Sequence, residues 1–214
     1  MHTSSNHNHT EPFWDRIAPK YAKKPISDLA SYEEKISRVR SLLHPQDRVL
    51  EIGCGTGGTA LRLASGVSGV VATDISKRMI EIARSKISPE QSSNISFQQA
   101  RASDLVENDP FDAICAFSLL HLVDDIQTVL RVAHQQLKPG GLFISKTVCL
   151  RDGSYAVRLF VRALTAVGIA PRVASFSRSD LVRQLKFAGF EIETVTHFGN
   201  QRTNPFIVAR RPYS

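Results

Sequence analysis

The sequence predicts an α/β fold, a doubly wound and mostly parallel sheet, from three observations. After His44-Pro45, short apolar runs alternate with helical stretches, a pattern that joins parallel strands by right-handed crossovers. The runs are nearly all apolar rather than alternating, as in strands buried on both faces. The first of them, Val49-Leu50-Glu51-Ile52, breaks into Gly53-Cys54-Gly55-Thr56-Gly57-Gly58. Such a glycine loop turns sharply and brings backbone N–H groups close to a ligand at the start of the next helix.

Each element has its own local cause. Over 28–43, Leu29, Tyr32, Ile36, Val39 and Leu42 fall at helical spacing, with Asp28 or Ser31 able to cap the helix. Strands are expected at 48–52, 70–74, 95–99, 113–117 and 142–148, and helices at 59–65, 77–87 and 125–137. Pro139-Gly140-Gly141 reads as a helix stop followed by a tight turn. A helix at 179–188, stopped by Gly189, precedes runs at 190–197 and 205–209. The short polar loop between these runs makes a hairpin, so the last strand is expected to run antiparallel.

A chain of 214 residues with 42% apolar and 22% charged side chains forms one globular domain with a sizeable core. It lacks an apolar run of membrane-spanning length, and the polar opening MHTSSNHNHT lacks the apolar core of a secretory signal. Residues 1–12 are expected as a flexible tail and 13–214 as a single domain. Cys54, Cys115 and Cys149 show no metal-binding spacing and read as reduced thiols of a cytoplasmic protein. No metal site is predicted. The net charge is +7, and much of the excess lies in Arg151, Arg158, Arg162, Arg172, Arg178, Arg183 and Lys186, against Asp152 and Asp180. Such a region suits a solvated face, an acidic substrate, an anionic lipid surface or RNA.

The glycine spacing alone fits two cofactor classes. Gly53, Gly55 and Gly58 satisfy GxGxxG, and Asp74 lies 19 residues beyond Gly55, near the distance for a ribose-binding acid. Glu51 separates the two. A carboxylate at the mouth of the loop repels a pyrophosphate, whereas it attracts an ammonium or sulfonium group.

The segments VLEIGCGTG, VVATDIS, FDAICAFSLLHLV and LKPGGLFISK together resemble the class I S-adenosylmethionine-dependent methyltransferases in order and spacing. The resemblance runs from about Phe13 to Lys146 and is looser beyond. The opening FWDRIAPKYA is similar to the start of the ubiquinone and menaquinone C-methyltransferase branch. It implies a Rossmann-like sheet of seven strands and S-adenosyl-L-methionine as cofactor. Glu51 and the loop residues Gly53, Cys54, Gly55 and Gly57 would then hold the methionine portion. Asp74 would accept hydrogen bonds from the ribose hydroxyls and Ile75 would pack on adenine. Phe117 and Ser118 stand at the end of the next strand of the site, and Tyr21 closes over the cofactor beneath an N-terminal helical cover. Two positions depart from the family pattern. Ala22 replaces a common aspartate, and Arg101 stands where many members have an acid that accepts the adenine amino proton. Arginine cannot accept, so backbone around Arg101 and Ala102, or Asp104, takes that role.

Methyl transfer from a sulfonium needs little beyond positioning of the nucleophile in a dry pocket. Where a base assists, His121 is the candidate, as a catalytic or merely structural histidine. Base-methylating enzymes carry Asn or Asp followed by Pro-Pro and an aromatic residue after the fourth strand, while this chain reads Phe117-Ser118-Leu119-Leu120. No specific nucleic-acid partner is therefore expected, but a small, partly apolar methyl acceptor. Over 153–174, Val157, Phe160, Val161, Leu164 and Val167 share one helical face and Arg158 and Arg162 another. This helix is either a lid over the acceptor or a helix packed on the sheet. Two rival functions remain at this stage: an NAD(P)-dependent oxidoreductase and a cofactor-binding protein without turnover.

Overall fold

The structure is a computed structural model that describes residues 10–91, 93–104, 107–199 and 202–213. Among the described residues, seven strands form one sheet: β1 (Arg48–Ile52), β2 (Gly69–Asp74), β3 (Ile95–Gln99), β4 (Phe111–Phe117), β5 (Leu137–Lys146), β6 (Glu191–Thr196) and β7 (Phe206–Arg210). Their order is β3-β2-β1-β4-β5-β7-β6. Strands β1 to β5 pair in parallel, while β7 runs antiparallel to both β5 and β6. The antiparallel last strand expected from the sequence is present.

Chain order reverses between β1 and β4, which are neighbours in the sheet. Ligands of open α/β sheets bind outside the carboxyl ends of the strands at such a switch point. The period of two along β1 divides its side chains between two layers. Leu50 and Ile52 enter one core cluster, and Val49 enters the other with Ala60, Leu63 and Phe117. Glu51 shares the Val49 side, so its carboxylate is carried into the layer between sheet and helices, where it is 3% exposed.

The helices are α1 (Thr10–Lys23), α2 (Leu29–Arg40), α3 (Gly58–Ala64), α4 (Lys77–Arg84), α5 (Ile126–Gln136), α6 (Tyr155–Ala166) and α7 (Arg178–Phe187). Asp28 caps α2 by accepting the Ser31 N–H, and Ser76 caps α4 by accepting the Met79 N–H. Ser177 and Asp180 form a capping box that starts α7. Residues 1–9 of the expected tail lie outside the described residues, but Thr10 to Pro12 are already helical. Helix α1 packs along α4 and buries only Ala18. Polar contacts tie it down: Asp15 accepts from Ser76 Oγ at 2.5 Å and from the Arg78 N–H at 3.0 Å, and Gln99 Nε2 donates to Glu11 at 2.9 Å.

One expectation is corrected, and one of the two readings of 153–174 is set aside. Pro139-Gly140-Gly141 lies inside β5, which begins at Leu137 directly after α5. The β4–β5 register shifts between Phe111 and Ala113, and Gly140, at φ 79, takes up the irregularity. Helix α6 is not packed on the sheet by its apolar face. Arg158, Val161 and Leu164 form its half-buried side, while Val157, Phe160 and Val167 face outward. Among the described residues, no helix is long and apolar enough to cross a membrane.

Candidate functional site

Two cavities open at the carboxyl ends of β1, β2 and β4. The first, of about 200 Å³, runs from Asp74, Ile75 and Met79 past Ala100, Arg101 and Ala102 to Leu119, Leu122 and Val123, with Trp14 of α1 on its wall. The second, of about 650 Å³, lies over the glycine loop and is bounded by Glu51, Cys54, Thr56, Tyr32, Lys35 and Lys146. Tyr21, Gly53, Gly55, Phe117 and Ser118 line both. The junction between the cavities is therefore the end of β4 facing the loop after β1. Ser118 holds φ 53, the one positive φ outside glycine among the described residues. Its N–H donates to the Lys146 carbonyl at 2.7 Å.

Asp74 closes β2 and ties it to the loop. One oxygen accepts the Gly55 N–H at 2.9 Å and the other the Ser76 N–H at 2.9 Å. Burial pushes its carboxyl above the usual range, against those two bonds. At the other end, burial pushes Glu51 up more strongly, opposed by the Lys35 ammonium and the Ala60 N–H. Glu51 Oε2 is buried without a hydrogen-bond partner among the described residues. A buried acceptor in that condition is costly unless a ligand satisfies it.

Lys35 is the counterpart of Glu51. It comes from α2, is 6% exposed, and its Nζ sits 4.5 Å from the Tyr32 ring centroid and 4.3 Å from that of Phe117. Its ammonium donates to Thr59 Oγ1 at 3.3 Å. Burial pulls its pKa down, while Glu51 raises it.

The expected residues divide as follows. Tyr21, Glu51, Gly53, Cys54, Gly55, Asp74, Ile75, Arg101, Ala102, Phe117 and Ser118 all line one cavity or the other. Gly57 lines neither. It holds φ 79 as the N-cap of α3, and a Cβ there would stand 2.7 Å from Phe97 Cζ. His121 also lines neither: its Nδ1 pairs with Thr147 Oγ1 at 2.8 Å, and burial pushes it down to about 4. Nor does any residue of 153–174 reach a cavity wall. Lys35, Tyr32, Thr59 and Trp14 are additions that motif reading missed. Lys35 carried a signal, being a charged residue beside Ile36, between Tyr32 and Val39 on the inward stripe of α2.

A zwitterion fits the second cavity, since an orphaned carboxylate oxygen and a buried ammonium stand at its floor. A nucleoside fits the first, with an acid at one end and apolar walls beyond. An anionic pyrophosphate suits the second cavity poorly, because the Glu51 carboxylate stands at its floor. Fold and site together suit S-adenosylmethionine, a nucleoside that ends in a zwitterion.

Comparison with known proteins agrees. Residues 49–141 match the family model described as a methyltransferase domain. The chain is 26% identical over 209 residues to a ubiquinone biosynthesis O-methyltransferase of Xanthomonas campestris pv. campestris, covering 91% of this chain and 85% of that protein. It is 28% identical over 170 residues to a demethylmenaquinone methyltransferase of Lactococcus lactis, covering 75% of this chain and 65% of that one. Its fold is shared with magnesium protoporphyrin IX methyltransferase from Synechocystis, solved with bound S-adenosylhomocysteine. The TM-score is 0.69 at 17% identity, over 94% of this chain and 93% of that chain. These comparisons support S-adenosylmethionine-dependent methylation of a small molecule, and the oxidoreductase alternative is not favoured.

Proposed function

We propose that the cofactor spans the two connected cavities and that the methyl acceptor, a small molecule with an apolar body, meets it at Phe117 and Ser118. The observation that carries this placement is the pair of acids at opposite ends of one continuous site. Asp74 stands in the nucleoside cavity and Glu51 in the methionine cavity, with the shared wall between them. Glu51 and Lys35 receive the ammonium and carboxylate of the methionine portion. Asp74 accepts from the ribose, and Ile75, Arg101 and Ala102 bound the adenine. When bound, the cofactor supplies an activated methyl carbon, so the protein's own task is positioning and exclusion of water. Tyr21, Trp14 and Thr10 of α1 roof the site. The acceptor class is supported by the apolar Leu119, Leu122 and Val123 and by the quinone-pathway names of the relatives. The buried free thiols Cys54, Cys115 and Cys149 support a reducing compartment such as the cytoplasm.

Titration with S-adenosylhomocysteine and with NADH tests the cofactor placement, with binding of the first alone expected. Transfer of labelled methyl to a panel of phenolic, quinol and carboxylate acceptors tests the acceptor. Turnover only on strongly polar acceptors would overturn the apolar class.

A further inference from the structure

Helix α6 and the turn after it present an apolar surface that no described residue covers. No side chain of α6 is buried. Tyr155 is 72%, Leu159 56% and Phe160 64% exposed, and Val167 and Ile169 are each 68% exposed. A contiguous group of this kind on a soluble chain marks an interaction surface. The usual arrangement is inverted here, because Arg158 takes the half-buried side while its guanidinium lies 5.4 Å from the Tyr155 ring centroid.

The charge around this surface identifies its partner. Residues 153–174 contain Arg158, Arg162 and Arg172 and no Asp or Glu. Arg162 and Arg172 are exposed, as is Arg178 at the flank. The neighbouring acids are already engaged: Asp180 pairs with Arg151 and Arg183, and Asp152 accepts the Arg178 N–H at 2.7 Å. Exposed large apolar side chains among arginines, without competing acids, suit the boundary of an anionic bilayer. There the apolar groups enter the acyl region and the guanidiniums meet phosphate. A second copy of this chain fits worse, since a two-fold contact would set one basic face against the other.

We propose that α6 and the turn to Ile169 form a docking surface for an anionic lipid membrane. The surface adjoins the site. The Gly168 carbonyl accepts from Arg16 of α1 at 3.4 Å, and α1 also contributes Thr10 and Trp14 to the nucleoside cavity. The Ala174 N–H donates to the His121 carbonyl at 2.7 Å, in the segment that follows β4. Docking thus brings the roof of the site to the bilayer, from which an apolar acceptor can be drawn. That last step rests on the acceptor class proposed above, while the docking itself does not.

Sedimentation of the full chain with vesicles tests the proposal, using phosphatidylcholine alone and with about 30% phosphatidylglycerol, at about 100 mM salt. Binding to the anionic vesicles is expected, with affinity for the neutral ones at least about tenfold lower. The double variant Leu159→Ser/Phe160→Ser should lose about tenfold or more in vesicle binding. It should keep its melting temperature and its affinity for S-adenosylhomocysteine, because both side chains are exposed. Arg162→Glu/Arg172→Glu should reduce binding to the neutral-vesicle level. Absence of binding to anionic vesicles overturns the proposal, as does undiminished binding by the Leu159/Phe160 variant. A wild-type dimer in light scattering that the same variant dissociates would assign the surface to a second copy and also overturns it. Loss of S-adenosylhomocysteine binding in the wild type, with vesicle binding intact, would instead remove the cofactor placement and leave the docking standing.

Discussion

The carboxylate of Asp74 bonds the Gly55 N–H at 2.9 Å and the Ser76 N–H at 2.9 Å, so one side chain joins the end of β2 to the loop after β1 before any ligand arrives. Replacing it therefore has two effects. Asp74→Ala should weaken S-adenosylhomocysteine binding by about 1.5 to 3 kcal/mol, the scale of lost charge-assisted hydrogen bonds. It should also lower folding stability by about 1 to 2 kcal/mol, because two partly buried N–H groups lose their acceptor. Asp74→Asn, which retains one acceptor, should fall between. Calorimetry and thermal unfolding measure the two effects separately, and unchanged affinity in Asp74→Ala would take the residue out of the cofactor site.

The second prediction concerns Glu51 and Lys35. Burial holds the Glu51 carboxyl above the usual carboxylate range, so part of the free enzyme carries it protonated near neutrality. An ammonium ligand favours the ionised form, which makes binding release a proton. Affinity for S-adenosylhomocysteine should accordingly rise as pH increases from the acid side toward neutrality, and Glu51→Gln should bind more weakly with a flatter profile. Lys35→Met should lower affinity for S-adenosylhomocysteine about tenfold or more while leaving adenosine unaffected. In the double variant the losses should be less than additive, because the two groups share one ligand end. Equal losses for adenosine and S-adenosylhomocysteine would contradict this placement.

What the sequence revealed follows the range of the interactions involved. Strands β1 and β3 were legible to the residue, β1 because a buried parallel strand needs an apolar run and ends where the run ends, and β3 because Ile95 and Phe97 alternate with outward polar residues. The cap of α2 was legible down to two candidates, of which Asp28 is the cap, because a cap bonds within its own first turn. Residues at strand ends reached the cavities as expected, for topology alone gathers them. Contacts across the sequence were not legible. Lys35 comes within electrostatic reach of Glu51 only because α2, packed on α3, lies in the layer that also holds Val49. His121 turned to Thr147 rather than to a cavity. For α6 the helix was legible and its burial was left open, since periodicity reports which residues share a face but not whether anything covers it. Phe160→Ala should consequently cost under about 1 kcal/mol of stability, far less than the roughly 3 to 5 kcal/mol of a core phenylalanine.

Gly57 yields a prediction about folding rather than binding. Its φ of 79 is in the left-handed region, and a Cβ would stand 2.7 Å from Phe97 Cζ and 2.9 Å from the Ala83 Cβ. Backbone strain of about 1 to 2 kcal/mol adds to overpacking of about 1 to 3 kcal/mol. Gly57→Ala should lose stability on the order of the sum, and Phe97→Leu in the same chain should recover part of it by removing the ring. Stability unchanged in Gly57→Ala would show that α3 starts differently.

The last prediction separates a structural His121 from a catalytic one. Its Nδ1 lies 2.8 Å from Thr147 Oγ1, the residue is 9% exposed, and burial pushes its pKa down to about 4. An unfolded histidine titrates near about 6.5. Between those values the unfolded chain binds a proton that the folded chain excludes, so stability falls as pH drops from about 6.5 and the loss is complete below about 4. Its full size is at most about 3.5 kcal/mol. His121→Asn lacks this titration, so its stability difference from the wild type should shrink or reverse as the solution is acidified. Denaturant midpoints taken at neutral pH and at intervals down to the folded pKa read this directly, and parallel profiles would contradict it. Because His121 lines neither cavity, His121→Asn should also keep its cofactor affinity and lose less than about tenfold in transfer rate, below the roughly 10² to 10⁴ of a general base. A loss of two orders of magnitude or more at unchanged cofactor affinity would restore it as the base.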